Sequence, residues 1–276
     1  MTLLYPNWLL IGGPYGPSDC AGCGNRSLIM RSCREDGILL RADKPATMLD
    51  SAFTSLPFDG PVCEGPGSVW SDLTCEAINV WATHSEIGGQ RYGYVLGLDL
   101  KAVYQVTPAD ILPAARLSSD ARQEYRVWEY WGGIVAGSDT VTTVCDEAHP
   151  FPLPAAGVNA NAAVIVSSYF IMAPVLPNGW TYLGEPGKLV AASARRVLSI
   201  DGSGSDSLTV CVALSEGETM TAFARSPDAK VYEASCSGSS SEAVPGQQQS
   251  QWTDADVLMS ISCGGGKCEC KAGCGE

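Results

Sequence analysis

The chain has 276 residues, 45% of them apolar and 17% charged, with 30 glycines and 17 prolines, a content that suits short strands and turns. Lys and Arg number 17 against 30 Asp and Glu, and the net charge of −13 excludes nucleic acid and anionic membrane surfaces as expected partners. No apolar run approaches the roughly 18 residues of a transmembrane helix, and the length supports one large domain or two small ones.

In chain order, residues 8–13 form a short apolar run ending in Gly12-Gly13, which reads as a buried strand stopping at a loop. The loop over 14–24 is rich in Gly, Pro and Ser. Asn25 then caps a short helix running to about Cys33, with Leu28, Ile29 and Met30 as apolar contacts and Gly37 as its stop. Strand, loop and helix make one βα unit, whose strand needs neighbours on both sides. Residues 1–55 are therefore expected to be the last piece of an α/β domain, and the chain the tail of a longer one.

From about residue 68 to 236 the pattern is β. Residues 77–83 and 92–100 are apolar runs around a polar turn with Gly88-Gly89, a hairpin expected to carry His84 in its turn. Further strands are expected over 127–131, 162–172 and 188–192. Residues 208–214 alternate with period two, Leu208, Val210, Val212 and Leu214 sharing one face. Strands over 219–224 and 230–235 follow the Gly217 turn. Repeated short strands with turns between them predict an antiparallel β-sandwich over 56–236. Residues 237–251, Ser-, Gly- and Gln-rich, read as a linker. A strand over 257–262 and four closing cysteines complete a linker and cysteine-rich tail over 237–276.

Twelve cysteines lean towards an oxidising compartment, although the N-terminus has no basic region and Pro6 and Asn7 interrupt its apolar stretch, making it a poor signal peptide. The tail spacing C-x4-C-x-C-x3-C, Cys263 to Cys274, lacks the paired knuckles of a zinc site and predicts a small disulfide knot. Cys20 and Cys23 are expected to be structural. No metal or cofactor is implied.

Chemistry has few carriers. The two histidines, His84 and His149, read as solvent-facing loop residues without a nucleophile elbow. Glycoside chemistry needs a carboxylate pair. Of the aspartates considered, which include Asp36, Asp43, Asp50, Asp72, Asp99 and Asp110, only Asp19 follows a strand end, where a barrel places its site. Trp128 and Tyr130 on one strand face, with Trp131 on the other, are the candidate stacking platform for a sugar ring.

The segment Gly12-Gly13-Pro14-Tyr15-Gly16-Pro17-Ser18-Asp19, then Gly22, Leu28, Asp36-Gly37-Ile38-Leu39-Leu40-Arg41, Pro45-Ala46-Thr47 and Asp50 to Phe53, resembles the end of the catalytic barrel in glycoside hydrolase family 36. The branch is that of raffinose synthases, seed imbibition proteins and alkaline α-galactosidases. Tyr169-Phe170-Ile171-Met172-Ala173-Pro174-Val175, Gly184 and Gly217-Glu218 through Phe223-Ala224 are similar to that family's C-terminal β-sandwich. The resemblance implies a last βα unit of a (β/α)8 barrel ahead of the sandwich, with the sandwich packed on the rest of that barrel. It also implies α-galactosides or related oligosaccharides as ligands, and a catalytic aspartate pair upstream of the matching segment. No residue of this chain then inherits a catalytic role, and Asp19 borders the sugar. Cys20 and Ala21 replace the family's lysine and proline, the connector is two residues longer, and the cysteine-rich tail has no counterpart. The compartment implied by the family is cytoplasm or plastid, against the secretory pathway suggested by the cysteines. A stand-alone, secreted carbohydrate-binding sandwich is the alternative.

Overall fold

A computed structural model describes residues 25–50, 80–98, 100, 102–112, 123–130, 143–155, 167–204, 206–238, 256–265 and 267–274. The expected strand over 8–13, Asp19, Cys20, Cys23 and Trp131 lie outside the described residues. The described part is mainly β, with antiparallel pairing throughout its sheets.

Helix α1 (Arg26–Ile29) is a single turn, and the Asn25 side chain accepts from the amides of Ser27 and Leu28. It ends well before Cys33, because Cys33 bridges to Leu39 and Arg34 donates its amide to Ile38. Gly37, at φ +87°, therefore turns a short hairpin rather than stopping a helix.

The first sheet has six strands in the order β1 (Thr47–Met48), β2 (Val80–Ile87), β3 (Gln90–Leu98), β8 (Ser167–Pro174), β5 (Tyr125–Glu129), β6 (Thr143–Cys145). Gly88 and Gly89, both at positive φ, make the two-residue turn between β2 and β3. This turn is tighter than its polar sequence suggests. His84 consequently sits inside β2 opposite Gly93, correcting its expected loop position.

Both faces of this sheet are covered. Tyr92, Tyr94, Leu96, Trp128, Tyr169 and Ile171 point into the larger core, and Val95, Val127 and Met172 into a smaller one. The ribbon of β4 (Tyr104–Val106) with β7 (Phe151–Leu153), together with α2 (Pro108–Ile111), closes the smaller core through Val106, Phe151, Leu153 and Ile111. Gly93 and Gly97 allow close packing there; a Cβ would lie 2.7 Å from Met172 Cε and 2.8 Å from Ser168 Oγ, respectively.

Opposite the larger core lie two more sheets, β10 (Val197–Asp201), β11 (Ser207–Ser215), β14 (Asp256–Gly264), β15 (Lys267–Ala272), and β13 (Val231–Ser237), β12 (Thr219–Arg225), β9 (Thr181–Gly184). The alternation in β11 is realised: Leu208, Val210, Val212 and Leu214 are all fully buried. Residues 256–274 are not an appended tail, since β14 pairs with β11 across nine residues and carries β15 on its outer side. The knot expected among the last four cysteines takes a different form. Cys263–Cys268 closes the β14–β15 hairpin, whereas Cys270 bonds to Cys236 on β13 and Cys274 to Cys211 on β11.

The expected strand over 188–192 is a loop. Its backbone closes on itself, Glu185 N–H to Ala191 C=O and Lys188 N–H to Glu185 C=O. Buried hydroxyls satisfy carbonyls that a ladder would have used: Tyr169 donates to Leu189 at 2.6 Å, and Tyr94 and Ser85 to Ala192 at 2.8 and 2.5 Å. The apolar run that suggests a strand is buried in the larger core as irregular chain. Gly184, at φ +80°, is required at the loop's start, because a Cβ there would lie 2.2 Å from Ala191 O.

The two long-range disulfides close separations of 63 and 34 residues, which on the chain-entropy relation is worth roughly 4 kcal/mol each at most. Removing the Cys211–Cys274 bond with paired serine substitutions is expected to cost about 2–4 kcal/mol in urea unfolding. An unchanged midpoint would show that the bond adds nothing to the sheet.

Candidate functional site

Residues 30–49 run across the rim of the larger core and are sewn to it at many points. Leu189 donates its amide to Arg31 C=O, and Lys188 Nζ reaches Met30 and Cys33 C=O at 2.8 Å each. Ser193 Oγ donates to Arg41 C=O, Asp43 N–H to His84 C=O, and Thr83 Oγ1 to Lys44 C=O. β1 then adds two residues to the edge of β2. The sequence marks this connector only by Pro45 and a few turn residues; its fixed path comes from partners distant in the chain.

Glu218 lies at the centre of the seam. Its carboxylate receives Arg196 Nη1 and Nη2 at 2.9 and 2.6 Å, the Ser215 amide and hydroxyl, and the Glu35 amide at 3.1 Å. Arg34 and Arg196 are both essentially inaccessible to solvent. Arg34 binds Asp36 at 2.8 Å and stands 3.9 Å from Glu218, while Arg196 Nε lies 3.4 Å from Glu185. Burial alone would raise the Glu218 pKa, but the Arg196 guanidinium and the Ser215 and Glu35 amides hold it down at about 2. Glu185, facing the same arginine with poorer geometry, is pushed up by burial.

Two cavities flank the connector. One, of about 330 Å³, lies between residues 44–50, the middle of β2 and α2. Met48, Leu49, Ala82 and Ile111 give it apolar walls, and Thr47, Asp50 and His84 supply polar groups. The other, of about 310 Å³, lies between residues 41–45 and 193–195. Lys44 and Pro45 border both, so the cavities abut. Burial, and secondly the charge of Lys44, lower the His84 pKa from its usual 6.5, keeping the imidazole neutral at pH 7 with one donor and one acceptor nitrogen.

The carboxylates at the cavities are unequally available. Asp43 accepts the Glu86 amide at 2.6 Å, and Asp110 Oδ2 accepts both the amide and the hydroxyl of Thr107. Asp50 is exposed and has no hydrogen-bond partner among the described residues. His149, as expected, lies in an exposed loop, bound to Asp146 at 2.9 Å.

The aromatic platform is corrected by burial. Trp128 is 2% and Tyr130 6% exposed, both within the larger core. Tyr130 packs on Tyr169 with ring centroids 5.5 Å apart, and the Arg31 guanidinium lies 5.9 Å over its ring. Their faces are occupied by protein. Sequence reading missed the cavity because its walls come from three distant segments, and no local spacing signals that they meet.

Among the described residues no group of three or more His, Cys, Asp and Glu side chains is placed to hold a metal ion. No helix among them is long and apolar enough to cross a membrane.

Because the folded pKa of Glu218 is depressed, its stabilisation is complete above the unfolded value near 4.5 and is lost as pH falls towards 2. Glu218→Gln leaves two buried guanidiniums undercompensated and is expected to cost about 3–5 kcal/mol at pH 7. The difference from wild type should shrink below pH 4 in urea unfolding. For His84, the NMR titration midpoint is expected below 6.5 and should rise on Lys44→Gln, which removes the neighbouring charge. A midpoint at or above 6.5 would contradict the burial of this ring.

The chain matches no protein-family model and no curated protein.

Proposed function

We propose that this chain is the β-sandwich part of an α-galactoside-processing protein, non-catalytic by itself, and that the cavity beside His84 is its saccharide contact. One observation carries the reading. Residues that bear the resemblance to the α-galactosidase and raffinose synthase family, far apart in sequence, meet at one seam, where Glu35 next to Asp36-Gly37 donates its amide to Glu218. Pro45 and Thr47, from the same set, line the cavity. A rigid seam of this kind suits a sandwich that holds the last helix and connector of a catalytic barrel.

The cavity chemistry supports a sugar. A hexose presents a C–H face and a rim of hydroxyls, matched here by the apolar side chains of Met48, Leu49 and Ile111 and the polar groups of Thr47, His84 and Asp50. Hydrolysis or galactosyl transfer needs two available carboxyl groups across the bond. With Asp43 and Asp110 bonded to backbone amides, Asp50 supplies one among the described residues. In the alternative, a stand-alone carbohydrate-binding sandwich, the same cavity binds sugar without an upstream domain. Burial of Trp128 and Tyr130 moves that reading too from aromatic stacking to this cavity.

Saturation-transfer NMR with melibiose and raffinose is expected to show binding with Kd on the order of 1 mM. His84→Ala and Asp50→Asn should each weaken it about fivefold, which is ~1 kcal/mol. The purified chain should leave an aryl α-galactoside unhydrolysed. Absence of any transfer signal would overturn the saccharide site, and turnover above blank would overturn the non-catalytic assignment.

A further inference from the structure

The cavity on the other side of Lys44 is lined by Arg41, Lys44 and Arg195, with Asp43 as its single carboxylate among the described residues. Three cations around one hollow are conspicuous in a chain with 30 acidic and 17 basic residues. None of the three has a carboxylate within ion-pair distance among the described residues. The arginines come from separate segments that one buried hydroxyl clips together: Ser193 Oγ donates to Arg41 C=O at 2.9 Å and accepts the Arg195 amide at 3.3 Å. Arg34 fixes the same wall by donating to Arg195 C=O at 3.4 Å. The side chains thus project from a pinned backbone. Asp43 directs one oxygen to the Glu86 amide, which reduces its claim on the neighbouring cations.

We infer that this cavity is an anion subsite continuous with the saccharide cavity, taking the carboxylate or the sulfate or phosphate ester of an acidic sugar. The inference rests on the saccharide reading above and narrows it: the favoured ligand is an anionic galactoside, with one sugar ring beside His84 and a charged group between Arg41 and Arg195. Guanidinium groups suit this role because their planar fork pairs two oxygens of one anion.

The test is calorimetric titration of the whole chain with digalacturonate, with neutral galactobiose and with inorganic sulfate. Digalacturonate is expected to bind about tenfold more tightly than galactobiose at low salt, and the preference should fall steeply in 0.5 M NaCl. In Arg41→Gln/Arg195→Gln the preference should vanish while galactobiose binding stays unchanged. Equal binding of both disaccharides, unaffected by this variant, would overturn the anion subsite and leave the saccharide cavity standing. Binding of sulfate, lost in the variant, with neither sugar bound would keep the anion site and overturn the saccharide reading. Neither guanidinium makes a side-chain hydrogen bond among the described residues, so each single variant should melt as wild type does. Loss of the fold in both would overturn the inference by giving these arginines a structural role.

Discussion

The described structure turns on a single carboxylate. Glu218 follows a glycine turn between β11 and β12, and so sits where the two sheets of the outer layer separate. From there it takes the Arg196 fork, which also donates to Ala213 C=O, and the Glu35 amide of the connector. Three segments that no local propensity brings together are held by one buried acceptor. Such a pair is a poor source of net stability compared with apolar packing, because desolvating the ions offsets most of their attraction. Its effect is on geometry: with two guanidiniums to satisfy, one arrangement of connector, loop and turn is strongly preferred.

The tyrosines play the complementary part from the six-stranded sheet. Tyr94 and Tyr169 present apolar rings to the core and hydroxyls to the 185–192 loop, so the loop's carbonyls stay paired without a strand partner. Seam and loop share Glu185, Lys188 and Arg196. Displacing the connector would therefore disturb the loop, and with it the wall that carries Ser193 and Arg195. The cavities depend on the packing of the whole rim rather than on any one element.

Legibility in the sequence followed the range of the forces involved. The β2–β3 hairpin could be read because Gly88-Gly89 is a local turn signal, and β11 because its alternation is a local period. The 188–192 run could not, since its apolar residues are buried in irregular chain stabilised by hydroxyls about 20 and 100 positions earlier. Strands of two or three residues, such as β1, β4, β6 and β7, carry too little pattern to be seen. Trp128 and Tyr130 read as a platform because a strand pattern does not reveal whether a second layer covers its outer face. At the cavities, Asp50 and His84 were visible as residue types, but their meeting is a consequence of β1 pairing with β2.

The placement of β14 has a consequence for synthesis. It lies inside its sheet, between β11 and β15, although it comes after every other described strand but one. While residues up to about 250 emerge from the ribosome, β11 offers an unpaired edge and Cys211 an unmatched thiol. The outer layer is completed only when the final hairpin arrives and its cysteines find strands already in position. Folding of this region thus waits for residues 256–274, and the interval before they emerge is when the open edge is most exposed to pairing with another chain.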